Sequence, residues 1–178
     1  MLTLVYGGCS SGKSSLAEEL LQGITDATEK IYIATMWPEG RDAEKRIQRH
    51  RSARAHKGFT SLECYTDIGS LVVPPGSAVL LECIAGLVAN EMFQPQGAHE
   101  AAEEAILGGI ALLAAQAKHL IVVSNDVGAD GFAYDEGTLA YQNAIAALNR
   151  ELCALSNCAI EMVCGIPVFL KGGETWRL

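Results

Sequence analysis

The stretch Leu2-Thr3-Leu4-Val5-Tyr6-Gly7-Gly8-Cys9-Ser10-Ser11-Gly12-Lys13-Ser14 decides how the rest of the chain is read. An aliphatic run stops at two glycines, Gly7 and Gly12 are separated by four residues, and Lys13-Ser14 follow at once. The full G-x-x-x-x-G-K-[ST] pattern thus falls between an expected strand, Leu2–Tyr6, and an expected helix, Lys13–Gln22. Glycines let the backbone curl so that successive N–H groups point at phosphate oxygens, and the helix adds its positive N-terminal end. Lys13 is expected to reach the terminal phosphates and Ser14 to ligate Mg2+. Gly7, Gly8, Cys9, Ser10, Ser11, Gly12, Lys13 and Ser14 are therefore candidate contacts of a purine nucleoside triphosphate. Backbone N–H groups see phosphates and not the base, so ATP and GTP both remain open.

Outward from this loop, near-continuous apolar runs alternate with longer helical patterns. Strands are expected at Lys30–Met36, Ala78–Cys83, His119–Ser124 and Ala159–Val163. Helices are expected near Asp42–Lys57, Ala98–Lys118 and Thr138–Leu155. Runs such as Ala78-Val79-Leu80-Leu81 and Leu120-Ile121-Val122-Val123 lack apolar/polar alternation, the signature of parallel strands covered on both faces. The segment from Gly165 to Lys171 adds a final strand at an edge, because Pro167 cannot donate to a central ladder. The pattern is α/β and mostly parallel. One domain over residues 1–173 and a C-terminal tail over 174–178 are expected.

The chain has 178 residues and 49% hydrophobic content, enough for one core. Its net charge of -8 argues against a nucleic-acid partner bound through a broadly positive surface. The longest apolar run, Ala105 to Ala115, falls short of the roughly 20 residues a membrane span needs. The apolar start is too short and lacks the basic beginning of a secretory signal. Six cysteines include no Cys-x-x-Cys pair, which fits reduced thiols in a cytoplasmic setting rather than a zinc or redox motif. Cys9 is read as a small loop filler.

Two further features carry chemistry. Leu80-Leu81-Glu82 places a carboxylate at a strand end, where phosphate-loop proteins keep an acidic residue for magnesium; Glu82 is the candidate and Asp126 a weaker one. Between Arg41 and Lys57 stand Arg41, Lys45, Arg46, Arg49, Arg51, Arg54 and Lys57, seven of the 13 cations in an acidic chain. Arg46, His50 and Arg54 share one helical face. Neighbouring positive charge disfavours imidazolium and keeps a ring nitrogen of His50 free to attack phosphorus.

Taken together these segments resemble the adenosylcobinamide kinase/adenosylcobinamide-phosphate guanylyltransferase family of cobalamin biosynthesis, from Leu2 to Gly173. The resemblance rests on the phosphate loop, Tyr32-Ile33-Ala34-Thr35, Arg46-Ile47-Gln48-Arg49-His50, Leu80-Leu81-Glu82-Cys83 with Asn90, Ser124-Asn125, Leu148-Asn149 and Gly165-Ile166-Pro167. It implies a P-loop NTPase-like (RecA-like) fold assembled as a homotrimer. It also implies a two-step enzyme: phosphorylation of the aminopropanol hydroxyl of adenosylcobinamide from ATP or GTP, then transfer of GMP from GTP through a guanylylated histidine to the corrinoid phosphate. That histidine falls on His50, and Ala34, Thr35, Met36, Arg51, Arg54, Glu63 and Glu82 fall where the family contacts guanine nucleotide. Catalytic roles are thereby expected for His50, Lys13 and Glu82, and metal roles for Ser14 and Glu82.

The departures cluster. Asn125-Asp126-Val127-Gly128 stands where the family has Glu after the Asn, Leu87 replaces a tryptophan, and Arg54-Ala55 replaces Arg-Pro. Leu139–Ala146 carries no charge where the family has an Arg and an Arg-Asp pair. A single-activity enzyme and a non-catalytic GTP-binding protein of a corrinoid pathway are the alternative expectations.

Overall fold

Strand β1, Leu2–Gly7, sends Leu4 to one face of a sheet and Val5 to the other, and both are fully buried. The same two-sided burial explains why the other central strands read as unbroken apolar runs. In the computed structural model, residues 1–38, 57–128, 131–174 and 176 are described. Seven strands form one sheet: β1, β2 (Lys30–Ala34), β3 (Thr60–Glu63), β4 (Ala78–Glu82), β5 (His119–Asn125), β6 (Cys158–Val163) and β7 (Ile166–Lys171), in the order β3-β2-β4-β5-β1-β6-β7. All neighbours run parallel except β7, which pairs antiparallel with β6. This is the α/β, mostly parallel, P-loop NTPase-like arrangement in one domain.

Helices cover both faces. α1 (Lys13–Gly23) buries Leu16, Leu20 and Leu21 against Val5, Tyr32, Leu80 and Ile160. On the other face α2 (Ile84–Phe93), α3 (Ala102–Gln116) and α4 (Glu136–Leu155) pack over Leu4, Ile33, Leu81 and Val122. α4 begins where Asp135 accepts from the Thr138 N–H at 3.0 Å, a side-chain cap.

Several expectations shift. The second strand stops at Ala34 rather than Met36, because Thr35 turns inward to bond the end of β4. The helix expected from Ala98 starts with a 3-10 turn at His99–Ala101 and becomes α-helical at Ala102. β3 and α2 were not expected at all. The helix expected over Asp42–Lys57 lies outside the described residues except for Lys57, which sits in a turn and pairs with Glu18 of α1. Pro167 is found on the edge strand as expected, reached through a tight turn in which Cys164 and Gly165 have φ of 50° and 83°. Trp176, in the segment expected as a tail, packs on the α1 side of the sheet, and its indole N–H donates to Thr3 Oγ1 at 3.2 Å.

Two neighbouring glycines of α3 make opposite predictions. A Cβ on Gly109 would lie 2.5 Å from Ile68 Cγ1 and 2.9 Å from the Gly69 nitrogen, whereas one on Gly108 meets nothing within 4 Å. Gly108→Ala is expected to stabilise the protein by ~0.5–1 kcal/mol, the helix-propensity gain. At Gly109 overpacking outweighs that gain, and Gly109→Ala is expected to cost ~1–3 kcal/mol. Urea midpoints of the two variants check the signs.

Candidate active site

The phosphate loop occupies the carboxyl end of β1, where the strand must reverse into α1. Gly7 and Gly12 have φ of 154° and 97°, and a Cβ on Gly7 would come 2.7 Å from the Met162 carbonyl oxygen, so β6 runs too close for any side chain there. Three main-chain bonds fix the curl. Asp126 N–H donates to the Gly7 carbonyl at 3.0 Å, Ser11 N–H to Gly8 at 3.3 Å, and Gly165 N–H to Ser11 at 3.0 Å. The ends of β5 and of the β6–β7 turn therefore clamp the loop from both sides.

Lys13 is only 8% exposed and arches back so that Nζ donates to the Gly8 carbonyl at 3.0 Å. No side chain caps α1, and its first turn holds no acid, so the N-terminal N–H groups and their positive partial charge remain directed at a ligand. Ser10, Ser11, Gly12, Lys13, Ser14 and Ser15 line a hollow of about 250 Å³ there. Ser14 is exposed, whereas Ser11 Oγ is buried without a hydrogen-bond partner. Cys9 lies exposed in the same loop.

Glu82 closes β4, one strand removed from β1 across β5, and is 8% exposed. Ala34 sits beside Glu63 on one side and Glu82 on the other, in register, so three strands bring these expected nucleotide contacts into one row. Thr35 is fully buried, and its hydroxyl donates to the carbonyls of Glu82 at 2.6 Å and Cys83 at 3.1 Å. Its side chain thus positions the Glu82 strand end rather than facing a ligand. Met36 is half-buried just beyond. His50, Arg51 and Arg54 lie outside the described residues.

Residues that the sequence reading assigned no site role complete this edge. Asn90, buried in α2, donates through Nδ2 to the carbonyls of Thr35 and Tyr65, both at 2.8 Å, and so ties the ends of β2 and β3 to one helix. Tyr65 donates its hydroxyl to Glu63 Oε2 at 2.6 Å and meets Trp37 edge-on at 5.4 Å. Asn149 donates from α4 to the Asn125 carbonyl at 3.0 Å. Asn90 and Asn149 carried a sequence signal as part of the family resemblance, without a role attached, whereas Tyr65 and Trp37 carried none.

The cysteines differ sharply in reactivity. Burial pushes the Cys64 thiol up to about 11, helped by the charges of Asp67 and Glu91, and burial also raises Cys83 and Cys158. A thiol at that value is only about a thousandth ionised at pH 8. Iodoacetamide at pH 8 is expected to modify the exposed Cys9 and Cys164 and to spare Cys64, read by peptide mass mapping.

The chain is similar to known proteins over nearly its whole length. The chain is 32% identical over 186 residues to the bifunctional adenosylcobalamin biosynthesis protein CobU of Salmonella typhimurium, covering 96% of this chain and 100% of that one. It is 30% identical over 185 residues to the protein of the same description from Escherichia coli, again covering 96% and 100%. Among solved structures, the flagellar accessory protein FlaH from Methanocaldococcus jannaschii aligns with a TM-score of 0.50 at 14% identity, over 96% of this chain and 77% of that one, a likeness of fold alone. Residues 3–170 match the family described as cobinamide kinase / cobinamide phosphate guanyltransferase, and the chain belongs to that family.

Proposed function

We propose that this chain carries out both reactions of its family: phosphorylation of adenosylcobinamide from ATP or GTP, then transfer of GMP from GTP to the resulting phosphate. The observation that carries the reading is the meeting of the phosphate loop, buried Lys13 and the strand-end Glu82 at one sheet edge, in a chain matching the family over residues 3–170.

In the kinase step the loop N–H groups and the α1 N-terminus bind the phosphates, and Lys13 moves its ammonium from the Gly8 carbonyl onto the β and γ oxygens. The residues also fit Mg2+. That ion takes one or two carboxylates and keeps waters and substrate phosphates as its other ligands. An exposed Ser14 hydroxyl and the Glu82 carboxylate match this, and no cluster of three or more His, Cys, Asp or Glu occurs among the described residues. Bound there, the metal supplies neutralisation of charge developing on the transferred phosphoryl group. Ser14 and Glu82 would hold the ion.

In the guanylyl step a His50 ring nitrogen bonds to the α-phosphorus of GTP as the bond to pyrophosphate breaks. An oxygen of the corrinoid phosphate then displaces the histidine, restoring it and forming the diphosphate. Arg51 and Arg54 stabilise phosphoryl oxygens, while Ala34, Met36 and Glu63 border the guanine nucleotide and Thr35 holds the Glu82 strand end in place. We further propose a homotrimer acting in the cytoplasm, supported by the family resemblance and by six free cysteines. No helix among the described residues is long and apolar enough to cross a membrane.

Incubation with adenosylcobinamide, ATP and GTP, followed by mass spectrometry, is expected to yield first a product heavier by one phosphate and then one heavier by a further GMP. Unchanged adenosylcobinamide with both nucleotides saturating would contradict the reading. Accumulation of the phosphate alone would leave a kinase only.

A further inference from the structure

The carboxyl end of β5 opens on a hollow of about 540 Å³, lined by Asp126, Gly128, Tyr134, Thr138, Tyr141 and Gln142 among others. A second hollow of about 340 Å³ shares Thr138 and Tyr141 with it and is bordered by Phe93 and Asp135. Tyr141 forms the ridge between them. Its hydroxyl donates to the Ala85 carbonyl at 3.1 Å, which fixes the ring between α2 and α4, 6.4 Å from that of Phe93. Phe93 is 58% exposed and Phe132 73% exposed, and Phe132 stacks edge-on with Tyr134 at 6.5 Å. So much aromatic surface left open beside a catalytic loop marks a ligand contact rather than a core.

The position of the first hollow is set by the loop itself. Asp126 lines it, and the N–H of the same residue holds the Gly7 carbonyl at the start of the phosphate loop. A molecule lying in the hollow therefore borders the phosphate site at the end of β5, between the loop on β1 and Glu82 on β4, since β5 stands between those two strands.

Charge says what kind of molecule fits. Asp126 and Asp135 contribute carboxylates, and among the described residues no Lys, Arg or His lines either hollow. The Thr138 N–H and hydroxyl, at 3.0 and 2.7 Å, hold the Asp135 carboxyl below its usual range and keep it ionised. A phosphate or second nucleotide is disfavoured in such a place. The charge-free stretch Leu139–Ala146 supplies Gln142, whose carboxamide lies against Gly128, with its Cδ 3.1 Å from where a Cβ on that glycine would stand. The adenosylated corrin is a broad ring with a net positive charge on its cobalt(III) centre and neutral carboxamide arms. Aromatic faces attract a cationic ring, and a glutamine and a threonine match amide arms.

We infer that these two adjoining hollows, divided by Tyr141, seat the edge of the cationic corrin macrocycle that carries the acceptor hydroxyl, an inference that rests on the proposed kinase reaction. The uncharged face of α4 is then a working wall of the acceptor subsite. It holds the ring at the carboxyl end of β5, beside the loop that takes the triphosphate.

The test is direct binding, separate from turnover. Adenosylcobinamide binding is followed by equilibrium dialysis using its visible absorbance, for the wild type and for Tyr134→Ala and Gln142→Arg. GTP affinity is measured in parallel and reports whether each variant remains folded. Each substitution is expected to weaken adenosylcobinamide binding about tenfold or more, equivalent to ~1.4 kcal/mol, with GTP affinity unchanged. Val72→Ser, an exposed position outside both hollows, is expected to leave adenosylcobinamide affinity unchanged. Unaltered adenosylcobinamide affinity in both Tyr134→Ala and Gln142→Arg would overturn the inference while leaving the kinase reading intact. A wild type that binds adenosylcobinamide in a Tyr134-dependent manner without phosphorylating it would support the subsite and overturn the kinase reading. A wild type with no affinity for adenosylcobinamide would overturn both.

Discussion

Lys13→Ala is expected to lower both the phosphorylation of adenosylcobinamide and the guanylylation of the enzyme by about 10³-fold or more, with little change in stability. Both reactions draw on a nucleoside triphosphate, and Lys13 is the cation of the loop, 8% exposed at its floor. A preorganised charge at developing phosphoryl oxygens in a water-poor site is worth about 10²–10³ in rate, and lost nucleotide affinity adds to that. The fold has little at stake. Among the described residues the Lys13 ammonium makes one bond, from Nζ to the Gly8 carbonyl, a contribution of about 1 kcal/mol, or roughly 2–4 °C in Tm for a chain of this size. Full activity in Lys13→Ala would remove the loop from the mechanism. A collapse of Tm would make the lysine a structural residue instead.

Glu82→Gln is expected to reduce kcat by about 10²-fold and to raise the magnesium concentration needed for half-maximal rate, with KM for nucleotide changed far less. The substitution is nearly isosteric. The bond that locks this strand end runs from Thr35 Oγ1 to the Glu82 main-chain oxygen at 2.6 Å, so the amide replacement leaves it in place. What changes is the charge presented at the edge between β2 and β5. A magnesium titration of the initial rate reads this directly, and an unchanged curve would reduce Glu82 to a strand-end cap.

The features legible in the sequence are those whose chemistry requires consecutive residues. The phosphate loop is one, since its N–H groups must come from neighbouring positions. β1, β4 and β5 are others, because burial on both faces writes an unbroken apolar run. β3 was illegible for a matching reason: Thr60-Ser61-Leu62-Glu63 is short, mostly exposed and at the sheet edge, with one aliphatic residue, and is held by its pairing with β2. α2 was hidden because Ile84-Ala85-Gly86-Leu87-Val88 is apolar all round and follows β4 after a single residue, Cys83, whose φ of 69° makes the turn. No residue type announces that turn; left-handed backbone is ordinarily the province of glycine or asparagine.

The site divides the same way. Lys13 and Glu82 were readable from their neighbours, but the row of Glu63, Ala34 and Glu82 depends on the register of three strands, which is a tertiary property. The inward turn of the Thr35 hydroxyl and the bridging by Asn90 depend on it as well. The uncharged stretch Leu139–Ala146 was visible in sequence as a departure from the family. Its placement beside the phosphate loop, with aromatic rings around it, turns that departure into a candidate wall for a cationic acceptor.

A chain that joins a triphosphate loop to a guanylylated histidine retains the nucleotide when it is incubated with GTP labelled in its α-phosphate and then quenched with denaturant. The expected label is covalent, acid-labile and base-stable, and absent from His50→Ala, while that variant still phosphorylates adenosylcobinamide. A wild type that binds GTP tightly yet takes up no label, or a label that persists in His50→Ala, would contradict this reading.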